Sequence, residues 1–167
     1  MTQFLDYLLG GLSSGAIFAL FALALVLTWR ATRVVNFAQV GQAMFTTFVA
    51  LTAQNLTGSW FLALAAAIVA GAALGTVVQF LVLRPMRRMD TSGAIIATFG
   101  VLIALQASAG MIWGGDQQAY PQPFPNTAIT VLGRDWPLSV YDLVVVGTAI
   151  VLVVALTLLF TRTNLGL

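Results

Sequence analysis

The stretch "WFLALAAAIVAGAALGTVVQFLVL", residues 60–83, runs for its whole length without a single charged side chain. About 20 predominantly apolar residues carry an α-helix across the hydrocarbon of a bilayer, and in that solvent only helices and closed barrels satisfy their own backbone. This run is long enough to cross. To its right stand Arg84, Arg87 and Arg88, and to its left the uncharged link "QNLTGSW". Working outward, four further runs of the same kind emerge, giving helical candidates at roughly Phe4–Trp29, Val34–Leu56, Trp60–Leu83, Ser92–Trp113 and Tyr141–Phe160. No period-2 alternation recurs at the spacing a membrane barrel needs. The expected fold is all-α, a polytopic membrane helix bundle of about five transmembrane segments in one domain over residues 1–167.

Composition agrees. Sixty per cent of the 167 residues are hydrophobic and 7% are charged, against roughly a quarter charged in soluble domains. The net charge of +2 rests on arginine alone, because lysine is absent, and it is too small for a nucleic-acid surface. Cys, His and Glu are absent as well, which removes disulfides, thiolate and imidazole chemistry and the usual metal sites. The opening "MTQFLDYLLGGL" has neither a basic start nor a small-residue cleavage site, so the first apolar run is expected to stay in the membrane.

The arginines give the bundle a direction. Arg30 and Arg33 fall in the first connection, Arg84, Arg87 and Arg88 in the third, and Arg162 follows the fifth span. The fourth connection carries Arg134, offset by Asp116 and Asp135. Alternating sides therefore places six arginines on one face and one on the other. By the positive-inside rule the amino terminus is outside and the carboxyl end inside, with these six arginines as topology anchors. Trp29, Trp60, Trp113 and Trp136, with Tyr7 and Tyr141, cluster at span ends, where amphipathic rings prefer to sit.

The second run differs from its neighbours. "RVVNFAQVGQAMFTTF", residues 33–48, carries Asn36, Gln39 and Gln42. If residues 34–56 form one helix, these amides and Thr46 fall within about a third of its circumference at about 100° per residue. An unpaired amide in hydrocarbon costs several kcal/mol, so the row must face protein or water. It serves either as glue between helices or as the lining of a polar path, and the same run either spans the bilayer or re-enters it. Thr98 and Gln106 in the fourth span are weaker candidates for that path. All five aspartates sit at span ends or in connections, so no titratable relay is expected within the membrane. Transport through such a path would be passive or driven from another subunit.

Gly11/Gly15, Gly71/Gly75 and Gly110/Gly114 recur at four-residue spacing, a pattern that lets helix backbones approach closely and marks them as helix-packing candidates. Residues 114–140 form an external, proline-rich loop in which "TAITVLGRDW" is expected to make a hairpin turning at Gly133-Arg134, as a docking surface or a lid.

A family resemblance now becomes visible. "GLSSGAIFALFALALVLTWRATRVVNFAQVGQ", residues 11–42, resembles the opening of the branched-chain amino acid importer permeases of the ABC superfamily, with their Gly-rich first helix, basic turn and "V-I-N-F-A-H-G" type stretch. Here Gln39 replaces the usual His and Val40 the usual Gly, with Gly41 one place later. "LRPMRRMDTSGAIIATFGVLIALQ" (83–106), "IWGGDQQAYPQPFP" (112–125) and "LLFTRTNLGL" (158–167) resemble later family segments in the same order, most closely in the first of the two paired permeases. The resemblance implies a subunit in the cell membrane without a cofactor of its own. Its partners would be a second permease, two cytoplasmic ATPase subunits that bind the ATP, and an external solute-binding protein. The solutes would be branched-chain amino acids or relatives such as urea and short amides. Family members continue past the position of Leu167, so the chain is expected to be an N-terminal portion that does not transport alone. No phosphate-binding G-x-x-x-x-G-K-[ST] occurs, so no ATPase activity is expected here. The rival readings are an uncoupled channel for a small neutral solute and a non-transporting membrane scaffold.

Overall fold

A computed structural model describes residues 2–86, 91–121, 128–131 and 134–162. The elements are α1 (Thr2–Thr32), α2 (Ala38–Thr57), α3 (Trp60–Val78), a π-helical turn (Gln79–Leu83), α4 (Arg84–Met86), α5 (Thr91–Trp113), β1 (Ala128–Val131), β2 (Arg134–Ser139) and α6 (Val140–Arg162). Among the described residues four helical stretches are long and apolar enough to cross a membrane: Gly11–Arg30, Trp60–Leu83, Ser92–Trp113 and Val140–Leu159. α2 has the length, at 20 residues, but its amides and threonines keep it less apolar. The chain divides into two compact units, Met1–Ala24 with Gln122–Leu167, and Leu25–Pro121.

In the second unit several helix ends have an identifiable cause. α1 closes where Arg33 turns left-handed (φ 60°) and donates its N–H to the Trp29 carbonyl at 2.7 Å. Arg30 therefore lies in the last helical turn rather than in the connection. α2 ends at Gly58 (φ 66°), whose N–H reaches the Gln54 carbonyl at 2.8 Å. Only glycine takes this conformation without strain. The link Gly58–Ser59 is so short that α3 must fold back antiparallel along α2. α3 then widens through the π-helical turn, where Arg84 N–H bonds to the carbonyl of Gln79, five residues back. Pro85 follows directly. It has no N–H to donate and would press on the carbonyl of residue 81 in a regular helix, which the wider turn relieves. α5 stops at Gly114 (φ 86°), with its N–H on the Gly110 carbonyl at 3.0 Å.

α2 lies between α3 and α5. Phe37, just ahead of α2, stacks on Phe99 at 4.4 Å between ring centroids. One turn on, a Cβ at Gly41 would stand 3.1 Å from Leu102 Cδ1 and 3.2 Å from Leu105 Cβ. Further along, Phe45 meets Trp113 edge-on at 5.1 Å, Phe48 stacks on it at 5.2 Å, and the Trp113 indole donates to Thr52 Oγ1 at 2.7 Å. Contacts thus advance together along both helices, so α2 and α5 run parallel. Ala38, Val78, Leu83 and Ala94 form the buried core at the end of this unit that holds Arg84.

In the first unit β1 and β2 pair antiparallel, Val131 opposite Arg134, with a register shift between Ala128 and Ile129. The two residues between the strands are 132 and 133. Of the expected turn Gly133-Arg134, Arg134 already belongs to β2, and Gly133 lies outside the described residues. α6 starts with a capping box: Ser139 N–H and Oγ–H both donate to Asp142 Oδ2 (2.9 and 2.8 Å), and Asp142 N–H returns to Ser139 Oγ at 3.2 Å. The spacing "SVYD" carries that signal in the sequence.

Candidate functional site: the amides of the second helix

The three amides that look alike in sequence separate in the structure. The expected helix over 34–56 begins only at Ala38, and Asn36 precedes it. Asn36 is 5% exposed, and its Oδ1 accepts the Ala38 N–H at 3.1 Å while its backbone carbonyl accepts the Gln39 N–H at 3.3 Å. Phe37 already has helical dihedrals (φ −70°, ψ −20°), so Asn36 is the residue that caps α2. Its amide oxygen satisfies one orphan backbone donor and needs no further partner.

Gln39 and Gln42 have no such local use. Gln39 Oε1 and Gln42 Nε2 are buried atoms without a hydrogen-bond partner among the described residues. Most buried polar atoms in folded proteins are paired, and an unpaired one costs about 1–3 kcal/mol. The direction they face follows from periodicity. Thr46 Cγ2 would lie 3.5 Å from a Cβ at Gly71 of α3. Gln42 and Gln39 fall within about 40° of Thr46 around α2, whereas Gly41, which touches α5, is about 100° from Gln42. The glutamines therefore sit on the α3 side. One turn from Thr46 towards the start of α2 is Gln42, and one turn from Gly71 along antiparallel α3 is Gly75, where an added Cβ would meet nothing within 4 Å.

The other candidates are placed as follows. Thr46 Oγ1 donates to the Ala43 carbonyl at 3.0 Å. Thr98 is fully buried and donates to the Ile95 carbonyl at 2.9 Å, so its hydroxyl is satisfied within its own helix. Gln106 is exposed. Thr98 and Gln106 belong to α5, across α2 from the glutamine face, and no bond joins them to it. A Cβ at Gly11, Gly15, Gly75, Gly110 or Gly114 would meet nothing within 4 Å, and at Gly71 only Thr46. Gly114 stands outside α5 and ends it. The tightest helix approach among the described glycines is at Gly41, which the four-residue spacing does not flag. Arg30, Arg84 and Arg162 lie exposed at helix ends, and Arg33 holds its guanidinium 5.6 Å from the Trp29 ring centre. Arg87 and Arg88 lie outside the described residues. Sequence reasoning also passed over Gln54, whose buried Oε1 is a third unpaired amide atom, and Thr52, the acceptor for Trp113.

No group of three or more metal-ligating side chains occurs among the described residues. What this arrangement offers is uncharged: two amides, one presenting an acceptor and one a donor, on a helix held between two others.

A match to known sequences gives this geometry a context. Residues 7–167 match the family described as "Branched-chain amino acid transport system / permease component". The chain belongs to that family. Among its relatives, the "Probable branched-chain amino acid transport permease protein LivH" of Methanocaldococcus jannaschii is 32% identical over 168 residues, 95% of this chain and 51% of the relative. The chain thus spans about half the length of the curated relative it matches. No solved structure matches it. Family and long apolar helices together make it a multi-pass protein of the cell membrane.

Proposed function

We propose that the chain is part of the membrane permease of an ABC importer that moves branched-chain amino acids or related small polar solutes. In this reading separate ATPase subunits bind ATP and supply the energy, an external solute-binding protein delivers the solute, and a second permease completes the pathway. The amino terminus lies outside and the carboxyl end inside, and α2 crosses the bilayer as a fifth span. Gln39 and Gln42 face the path.

The unpaired amide atoms of Gln39 and Gln42 carry this reading. A helix that served packing alone would gain stability by replacing both with apolar side chains. Their retention suits a passage for a solute that itself brings donors and acceptors. Among the described residues every ionisable side chain stands at a helix end or in a connection, which suits a permease driven from elsewhere rather than by a proton relay.

The test is uptake by the assembled importer carrying Gln39→Leu and Gln42→Leu. Uptake falls at least tenfold while the complex still assembles. Unchanged uptake with weakened assembly would assign the amides to packing. Solute flux through vesicles holding this chain alone, without ATP, would point to an uncoupled channel.

A further inference from the structure

The apolar run Trp60–Leu83 contains a single amide, Gln79, and it falls on the first residue of the π-helical turn. Its depth is fixed by a contact elsewhere on the same pair of helices. Thr46 Cγ2 of α2 would lie 3.5 Å from a Cβ at Gly71 of α3. Seven residues from each towards the Arg84 end stand Gln39 on α2 and Val78 on antiparallel α3. Val78 shares a buried cluster with Ala38, the neighbour of Gln39. Gln79 therefore lies within about one residue, about 1.5 Å, of the depth of Gln39.

The turn also fixes its direction. In a regular α-helix Val78 and Leu83, five apart, would stand about 140° from each other. Here both are 4% exposed and belong to one cluster, because the turn closes its bond over five residues, from Arg84 N–H to the Gln79 carbonyl. A chain that comes round in about five residues leaves Val78 through Gln79 and Phe80 on one flank and returns through Leu81 and Val82 on the other. Leu81 and Val82 line a furrow with Ala97 and Gly100 of α5. Gln79 is thus on the flank away from α5. Gln39 points the same way, since it lies about 160° around α2 from Gly41, which touches α5. Gln79 is half-buried, and its side chain makes no hydrogen bond among the described residues.

We propose that Gln79 is a third solute-contacting amide, set beside Gln39 on the other wall of the path. This rests on the reading that Gln39 faces that path. Gln39 Oε1 is unpaired, and Gln79 adds an NH2 donor and a carbonyl acceptor at the same depth. A solute moving along this flank exchanges its bonds to water for amide bonds on α2 and α3 together. The π-helical turn holds Gln79 in place: in a regular helix Val78 or Leu83 would leave the cluster, and Gln79 would turn with it.

Two measurements test the proposal. The chain has no native cysteine. In the full chain in bilayers, Gln39→Cys combined with Gln79→Cys is linked by a short bis-methanethiosulfonate reagent, read by intact mass spectrometry, and Gln39→Cys combined with Leu81→Cys is not. Linking of the Leu81 pair and not the Gln79 pair overturns the placement. In the assembled importer, Gln79→Leu raises the KM for leucine uptake about tenfold, the loss of one hydrogen bond, with kcat and assembly kept. Gln79→Asn recovers part of that loss, and Phe80→Leu leaves KM unchanged. A wild-type KM in Gln79→Leu, or a loss of assembly at unchanged KM, overturns the proposal. If Gln39→Leu still lowers uptake in that case, the reading of Gln39 stands and Gln79 alone is excluded. If Gln39→Leu is also without effect, the reading beneath the proposal has failed.

Discussion

Asn36, Gln39 and Gln42 provide a test in which chemically similar substitutions are expected to have opposite signs. Asn36 caps α2 through a 3.1 Å bond from the Ala38 N–H, so Asn36→Ala removes a satisfied cap and is expected to cost about 1 kcal/mol. Gln42 holds a buried Nε2 with no partner, so Gln42→Leu removes a penalty of about 1–3 kcal/mol. Gln42 is only partly buried overall, and the unfolded reference in a micelle also finds hydrogen bonds, so the lower end of that range applies. The expected gain is about 1 kcal/mol. The two variants should therefore differ by about 2 kcal/mol, roughly 30-fold in the unfolding equilibrium. Unfolding by sodium dodecyl sulfate in mixed micelles, followed by far-ultraviolet circular dichroism, measures both on the same scale. Gln39→Leu should follow Gln42→Leu. A loss of 1 kcal/mol or more in either glutamine variant would mean that the amide is bonded in the folded protein, and the case for a free polar seam would collapse.

Other outcomes are equally specific. Gly41→Val is expected to cost about 1–3 kcal/mol in the same titration, because its Cβ would approach the backbone-fixed Leu105 Cβ at 3.2 Å, while Gly75→Ala is tolerated or slightly stabilising. Thr52→Val and Trp113→Phe each lose about 0.6 kcal/mol, and the double variant loses little more than either alone; additive losses would show that the 2.7 Å indole bond contributes nothing. Arg33→Gly relieves a left-handed arginine and should stabilise the chain by about 1 kcal/mol. Gln118→Cys should react with an impermeant thiol reagent added outside cells, and Arg84→Cys should not; the reverse would overturn the proposed orientation.

The apolar runs were legible because they need no partner to be understood: an uncharged stretch as long as Trp60–Leu83 has few other places to go. The ends of the helices were less so. α2 starts at Ala38 rather than Val34 because Asn36 spends its side chain on the backbone, a local choice that hydropathy does not register. Gly114 and Gly110 share the spacing of a packing motif, yet Gly114 is the left-handed stop of α5. The tight approach at Gly41 needs a neighbour from another helix, and one chain read alone does not say which residues of α5 will arrive there. For the site, spacing groups Asn36, Gln39, Gln42 and Thr46 on one helix face, and the structure keeps the last three on α2 while Asn36 stands ahead of it as its cap. Spacing had no means of separating an amide that is bonded, Asn36, from those that are not.

The parallel course of α2 and α5 bears on the helix that hydropathy leaves undecided. From Phe37 to Thr52 along one and from Phe99 to Trp113 along the other, paired contacts advance over 15 and 14 residues, about 22 and 21 Å of helix. α5 is apolar enough to cross, and α2 keeps step with it through most of the hydrocarbon thickness. A re-entrant segment would have to turn back within that distance, and α2 continues unbroken to Thr57. Its polar face is tolerable at that depth because it turns towards α3 while Gly41, Phe45 and Phe48 hold α5. The lower hydropathy of α2 thus goes with its position between two shielding helices.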